Sequence, residues 1–262
     1  AMGAALLPAT ATASAENTLR MAYDADPVSL DIHEQLSGAT LQLSHMTFDP
    51  LVRWTQDLEF EPRLATSWEQ VDDTTMRMTL REGVTFHSGN PFTADDVVFT
   101  VERLKESSDF KAIFAPIDSV TAIDDTTVEF TTSKPYPLLL NLATYIFPLD
   151  SQFYSGTDED GDPKDEIVKN GNSYASRHIS GTGPFEVTNR QQGVRTDFER
   201  YDDYWDTGSP GNVDKVVLTP IGENATRVAA LLSGDVNFIA PVPPNDLDRI
   251  RDDEDVQLVT MS

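Results

Sequence analysis

The side chains able to carry chemistry in this sequence are histidines and carboxylates, because the 262 residues include no cysteine. The histidines are His33, His45, His87 and His178. No two of them have the spacing of a zinc motif, so we interpret them as ordinary polar or capping residues. The lack of cysteine also excludes a thiol nucleophile, a disulfide framework and a lipid-modified cysteine.

Carboxylates dominate the charge, with 44 Asp and Glu against 19 Lys and Arg and a formal net charge of −25. We interpret this excess as a solvated acidic surface, within which no acid–base pair can be singled out. Asp158, Asp160 and Asp162 alternate around a glycine as in a calcium loop. That glycine stands fourth, whereas an EF-hand has it sixth, so an exposed acidic loop is the preferred interpretation.

Other functional motifs are missing. The Gly-rich segment 180–184 has no lysine and precedes a predicted strand, which argues against a phosphate cradle. The sequence has no Gly-x-Ser-x-Gly, P-loop or Gly-x-Gly-x-x-Gly motif. We therefore predict no catalytic residue, no metal and no cofactor. The negative charge excludes nucleic acid as a partner, and no apolar run is long enough for membrane insertion.

The elements that must position any site alternate between strands and helices, which predicts an α/β (mixed α+β) fold. The clearest helix covers 93 to about 107, with Thr93 as its N-cap. A second helix covers 224–233, with Asn224 as cap and Gly234 just past its end. The run 138–145 has helix length. Apolar or alternating segments predict strands at 19–22, 76–80, 117–123, 127–131, 185–189, 196–200, 216–219, 236–239 and 256–261.

The N-terminal segment 1–15 is uncharged, rich in Ala and Thr, and ends Ala13-Ser14-Ala15. This ending is typical of a secretory cleavage site, so we interpret the segment as a signal-peptide remnant. Cleavage there predicts a periplasmic protein. The alternative is a tail derived from cloning.

Several motifs, taken in order, resemble the extracellular solute-binding family 5, the substrate-binding proteins of peptide, opine and nickel ABC importers. One departure is Ile32, where the family has proline, while His33 is kept. The matching segments are Leu19–Asp31, Asp49–Val52, Pro62–Trp68, Leu80–Gly89, Pro91–Val97, Gly181–Phe185, Tyr204–Trp205 and Ala229–Asp235.

The resemblance implies a periplasmic binding protein-like lobe I of a two-lobed, cluster C type receptor, with the second lobe absent from this chain. It divides the chain beyond residue 15 into a cleft-facing subdomain, 16–44 plus 179–262, and an inserted α/β subdomain, 45–178. The Leu80–Val97 segment is expected to determine the fold rather than to bind ligand.

The implied function is capture of a di- or oligopeptide or similar small solute by a monomer that delivers it to a permease in the inner membrane. No enzymatic activity is expected. Nickel chelates, opines and sugars stay open as ligands. A secreted carboxylate-dependent hydrolase and a peptide-holding interaction module stay open as other classes of function. The family layout places these residues at the cleft, although each also fits a plain surface turn: Ser37, Gly38, Ala39, Thr182, Gly183, Ala240 and Pro241.

Overall fold

The computed structural model describes residues 17–170, 172–208 and 211–259. The strands are β1 (Thr18–Tyr23), β2 (Val52–Trp54), β3 (Phe60–Pro62), β4 (Ala65–Asp72), β5 (Thr75–Leu80), β6 (Ile117–Asp124), β7 (Thr127–Thr132), β8 (Phe185–Gln191), β9 (Arg195–Arg200), β10 (Lys215–Pro220) and β11 (Phe238–Ala240). The helices are α1 (Gly38–Thr47), α2 (Ala94–Glu106), α3 (Lys111–Phe114), α4 (Leu139–Ala143), α5 (Ser151–Tyr154), α6 (Asn224–Leu232) and α7 (Leu247–Arg251), with a 3₁₀ turn at Pro244–Asp246. This is the mixed α/β architecture that the sequence predicts.

One sheet gathers strands from the two ends of the described chain, in the order β11-β1-β10-β9-β8. In its centre β1 runs parallel to both β10 and β11. The last residue of β1, Tyr23, therefore lies opposite Pro220 and Ala240, the last residues of its two neighbours. We call the end of the sheet marked by these three residues the carboxyl edge.

A second, antiparallel sheet has the order β4-β5-β7-β6. The predicted strands 117–123 and 127–131 are confirmed as β6 and β7, which pair on either side of a turn at Asp125–Thr126. The short β2 and β3 form a separate antiparallel pair. Helix α2 packs on the second sheet and buries Val97, Val101 and Leu104 in its core.

Another apolar core lies under the first sheet. It joins Met21 and Phe198 of that sheet to Phe147 and Tyr154, which come from the middle of the chain. Helix α1 continues across the predicted subdomain boundary between residues 44 and 45. The division into 16–44 plus 179–262 and 45–178 stays a prediction.

The ends of the helices test the caps predicted from the local sequence. At α2 the Asp96 carboxylate accepts a hydrogen bond from the Thr93 N–H at 2.7 Å, as expected for a capped start. At α6 the predicted cap is wrong, because Glu223 rather than Asn224 accepts from the first-turn N–H groups. The Asn224 side chain is engaged by Arg227 at 2.8 Å instead. Gly234 follows α6 with φ +78°, as a helix-ending glycine should.

Two further expectations change. Ser37, Gly38 and Ala39 do not form a plain surface turn, since Ser37 caps α1 and the helix begins at Gly38. No strand forms over 256–259, and the rest of that predicted strand, like the proposed signal remnant 1–15, lies outside the described residues. Within the described ranges, no helix has both the length and the apolar character needed to cross a bilayer.

Candidate ligand-binding site

The carboxyl edge brings together part of the predicted site. A side-chain carbon built on Gly38 would lie 3.3 Å from the Tyr23 hydroxyl, so the first turn of α1 rests against the end of β1. Ala240 lies beside Tyr23 on the other side, and Pro241 follows it as an exposed residue. Ser37, Gly38, Ala240 and Pro241 therefore surround the end of one central strand.

The start of α1 is a defined helix cap. The Ser37 Oγ accepts from the Thr40 N–H at 3.2 Å, and the Ser37 carbonyl accepts from the Leu41 N–H at 2.9 Å. The N–H groups of Gly38 and Ala39 have no acceptor within the helix, because the first turn has no preceding carbonyls. Ala39 itself is 5% exposed, so its side chain belongs to the packing and only its backbone can serve a ligand.

The segment that leads into α1 is fixed by ion pairing. The Lys169 ammonium donates to the Glu34 carbonyl and to the Asp109 carboxylate. The other oxygen of Asp109 accepts from the Leu36 N–H at 3.1 Å. Hydrogen bonds from the Lys169 ammonium and the Leu36 N–H stabilise the Asp109 charge and hold the pKa of that carboxyl below its usual value. The approach to the carboxyl edge is thus held before any ligand arrives.

Thr182 and Gly183 are not at the carboxyl edge. The Gly183 N–H donates to the carbonyl of Thr47, the last residue of α1, at 3.0 Å. Helix α1 has 10 residues and so is about 15 Å long, which separates these two residues from Ser37 by roughly that distance. A side-chain carbon on Gly183 would lie 2.5 Å from the Thr47 backbone. The glycine permits close packing of two backbones here.

Thr182 instead joins a buried polar cluster, which we call the Asp49 network. Asp49 accepts from Arg63 at 2.8 Å, from the Tyr204 hydroxyl at 2.9 Å and from the Trp205 indole N–H at 2.8 Å. The Thr182 hydroxyl accepts from the Asp49 N–H at 3.1 Å. This network therefore links four of the motifs that carry the family resemblance.

The electrostatics of the Asp49 network favour fixed charges. Burial alone would lower the pKa of Arg63, but hydrogen bonds to Asp49 and Asp206 raise it above its ordinary value. The Arg63 hydrogen bond lowers the pKa of Asp206. Burial, reinforced by the Asp49 charge, raises the pKa of Tyr204. These shifts keep Arg63 and Asp206 charged and Tyr204 neutral near neutral pH, so the network is suited to holding structure rather than to transferring protons.

Behind the carboxyl edge lies Arg227 of α6, which is 1% exposed. Its guanidinium donates to the Ile221 carbonyl at 2.7 Å and to the Pro241 carbonyl at 3.1 and 3.3 Å. It thereby ties the segment after β10 to the segment after β11. Sequence reasoning missed both Arg227 and Tyr23. The signals were present, since Tyr23 directly follows the first predicted strand and Arg227 is the one charged residue of helix α6.

No metal centre emerges among the described residues, because no three His, Asp or Glu side chains there are placed to hold one ion. In the acidic loop, the Asp158 carboxylate accepts from the N–H groups of Asp160 and Asp162, both at 3.0 Å. These bonds shape a turn of the backbone.

The family model for the bacterial extracellular solute-binding proteins, family 5 Middle, matches residues 59–261. The chain belongs to this family. The match covers the Asp49 network partners from Arg63 onward and both strands, β10 and β11, that flank β1 at the carboxyl edge.

Known relatives are substantially longer. The dipeptide-binding protein of Escherichia coli (strain K12) is 27% identical, with 99% of this chain and 51% of the relative covered. The glutathione-binding protein GsiB of Escherichia coli O1:K1 is 24% identical over 99% of this chain and 49% of the relative. The chain spans about half the length of these curated relatives.

A solved structure shows the same fold. It is the ABC transporter-associated periplasmic binding protein DppA from Helicobacter pylori in complex with peptide STSA. That chain is 26% identical, with a TM-score of 0.76, and the match covers 91% of this chain and 49% of that one.

Proposed function

We propose that this chain forms one lobe of the periplasmic substrate-binding component of an ABC importer. The component would capture a di- or oligopeptide, or a similar small polar solute, and deliver it to a permease in the inner membrane. The observation that carries this proposal is the carboxyl edge of the first sheet. There two parallel neighbours of β1 and the first turn of α1 converge around Tyr23.

Ligands of open α/β sheets bind outside the carboxyl ends of parallel strands, where adjacent connections diverge. Helix α6 links β10 to β11 across β1, whereas α1 follows β1 directly, so the connections separate at Tyr23. This edge therefore has the topology of a binding crevice. Backbone groups at such an edge can hold a peptide main chain whatever its side chains, as β-type recognition does elsewhere.

The work proposed is capture without chemistry. A second lobe would complete the cleft, and closure would be favoured by ligand contacts to both sides. We propose a peptide as the first choice of ligand because relatives are named for a dipeptide and for glutathione, which is itself a peptide. Nickel chelates, opines and sugars are the alternatives. The receptor is proposed to work as a monomer, without enzymatic activity.

The test is a nuclear magnetic resonance titration of the ¹⁵N-labelled chain with L-alanyl-L-alanine and, separately, with glutathione. The amide signals at the carboxyl edge, from Tyr23, Gly38 and Ala240, should move with increasing peptide. Signals of Asp49 and Trp205 should stay in place and serve as internal controls. D-glucose at the same concentrations is the control solute. If neither peptide moves any carboxyl-edge signal, the peptide-receptor proposal is wrong.

A further inference from the structure

Three arginines of the described chain are almost completely buried, and two of them face carboxylates. Arg63, 7% exposed, pairs with Asp49 at 2.8 Å. Arg103, 5% exposed, pairs with both oxygens of Asp31 at 2.8 and 2.7 Å. Such pairing is the usual way to make a buried charge tolerable.

Arg227 is the most buried of the three and is held differently. The acceptors in hydrogen-bond contact with its guanidinium are the Ile221 carbonyl, the Pro241 carbonyl and the Asn224 amide oxygen at 2.8 Å. All three are neutral. The Glu223 carboxylate interacts with the guanidinium through its charge and not through a hydrogen bond, so in a chain whose net charge is −25 the choice of neutral oxygens as acceptors needs a reason. The two carbonyls that Arg227 contacts belong to the segments that directly follow β10 and β11 at the carboxyl edge.

The geometry of the peptide bond fixes the direction of the two N–H groups that follow these carbonyls. In a planar trans peptide the N–H of one residue points opposite to the carbonyl of the residue before it. The peptides that follow Ile221 and Pro241 are trans. Because both carbonyls point at the guanidinium, the N–H groups of Gly222 and Val242 point away from it, out of the buried interior.

These two N–H groups lie where a ligand would sit. Gly222 is exposed, and a side-chain carbon on it would lie 3.4 Å from the carbonyl of Asp24, which directly follows β1. Val242 is partly exposed and comes two residues after Ala240, the last residue of β11. One buried side chain thus orients donors on both sides of the end of β1.

We propose that Arg227 is a positioning residue that aims the Gly222 and Val242 N–H groups at carbonyl or carboxylate oxygens of the ligand. A guanidinium bound to a carbonyl also polarises that peptide, which strengthens its N–H as a donor. The ligand class is therefore one with oxygen acceptors spaced along a backbone, as in a short peptide. This inference rests on the proposed function and adds to it the donors and the residue that holds them.

The chain offers a matched control. Arg20 also donates to two backbone carbonyls, those of Gly234 and Asp235 at 3.2 and 3.1 Å, but these precede β11 rather than follow it. Arg227→Lys and Arg20→Lys each keep the charge and lose the forked donor geometry. Only the first change should release the carboxyl-edge segments.

The experiment is the titration of the ¹⁵N-labelled chain with L-alanyl-L-alanine, repeated for both variants. In the wild type, the Gly222 and Val242 amide protons should shift downfield on binding. Arg227→Lys should weaken the dipeptide affinity by about tenfold, the loss expected for one or two misaligned hydrogen bonds. Arg20→Lys should stay within about twofold of the wild type. Circular dichroism at the titration temperature checks that each variant is folded.

The outcomes separate the two proposals. If carboxyl-edge signals such as Tyr23 and Gly38 move while those of Gly222 and Val242 do not, the role of Arg227 is wrong and the peptide-receptor function stands. Equal affinities for the two lysine variants would also overturn it. If Arg227→Lys does not fold, the wild-type shifts of Gly222 and Val242 still decide the question. If no signal moves at all, both proposals fall.

Discussion

The Asp49 network and the carboxyl edge lie near opposite ends of α1 and use polar groups in different ways. In the network, side chains from distant segments bind one another, and the buried Arg63 is matched by Asp49 and Asp206. At the carboxyl edge, the buried Arg227 binds backbone carbonyls, and the polar groups that face outward belong to the main chain.

This difference distinguishes polar groups that hold the structure together from polar groups that face outward. The sequence motifs alone do not make that distinction. Thr182 and Tyr204 are motif residues whose hydrogen-bonding groups are taken up inside the protein. A ligand would have to displace those bonds to use them. The backbone donors near Ala240 require no such exchange. In the first region the family motifs therefore indicate packing. In the second region, we propose that backbone groups of residues such as Ala240 recognise the ligand.

The largest expected effect tests the network. Asp49→Ala removes the carboxylate that matches buried Arg63 and should lower the free energy of unfolding by about 3–5 kcal/mol. Urea denaturation followed by circular dichroism measures it. Glu61→Gln breaks the exposed Arg53–Glu61 pair, whose side chains are 46% and 37% exposed, and should cost no more than about 1 kcal/mol. Similar losses for the two variants would contradict the structural role of the network.

The second prediction uses pH. Burial lowers the pKa of His33 from 6.5 to about 3. The unfolded chain therefore takes up a proton below about pH 6.5 that the folded chain refuses, and stability falls as pH falls toward 3. The slope contributed is up to about 1.4 kcal/mol per pH unit.

His33→Leu should flatten the stability curve between pH 6.5 and 4 relative to the wild type. Denaturation midpoints across that pH range give both slopes. His33 lies beside a second buried ion pair, formed by Arg103 and Asp31. Like the Asp49 network, this region uses side chains that are buried inside the protein. An unchanged slope for His33→Leu would show that this histidine is charged or solvated in the folded protein.

The third prediction asks whether Gly183 packs or binds. Gly183→Ala places a carbon 2.5 Å from the Thr47 backbone and should destabilise the fold by about 1–3 kcal/mol. Gly208→Ala, whose added carbon would meet nothing closer than the Asp206 carboxylate at 3.5 Å, is the control. Thermal unfolding compares them. A Gly183→Ala protein of unchanged stability with lost dipeptide binding would move this residue to the ligand site.

The smallest expected effect lies at the carboxyl edge. Ser37→Ala removes the N-cap of α1 and should cost about 1 kcal/mol of stability. Ser119→Ala, an exposed strand position, should change stability by less than about 0.5 kcal/mol. Dipeptide affinity measured on the same samples sharpens the comparison. If Ser37→Ala weakens binding more than its stability loss explains, the cap hydroxyl itself contacts the ligand.

Sequence reasoning succeeded where the determinants are local. Thr93 and Asp96 stand three residues apart and define the start of α2, and the polar turn at Asp125–Thr126 joins β6 and β7 into a hairpin. Helix α1 was missed because Gly38 and a run of Ser, Thr and His residues are weak helix formers. Its cap residue, Ser37, could equally have belonged to a turn.

The site was harder to predict because its partners are far apart in sequence. Asp49 and Trp205 are 156 residues apart, so nothing local links them. Thr182 and Gly183 were expected beside Ser37, yet they pack at the other end of α1. The cap at Glu223 is a local exception, since Arg227 of the same helix engages the competing Asn224 side chain.

The placement of β1 also affects the order in which the chain can fold during its synthesis. Among the described residues, β1 pairs with β10 and β11 alone, and the Asn17 N–H just before it donates to Asp214, 197 residues away. At about 5–20 residues per second, a ribosome needs roughly 10–40 s to make the chain between these two partners. During that interval the four-stranded sheet can form from adjacent segments, while β1 waits as an unpaired strand. We therefore expect the nascent chain to mature from its middle outward.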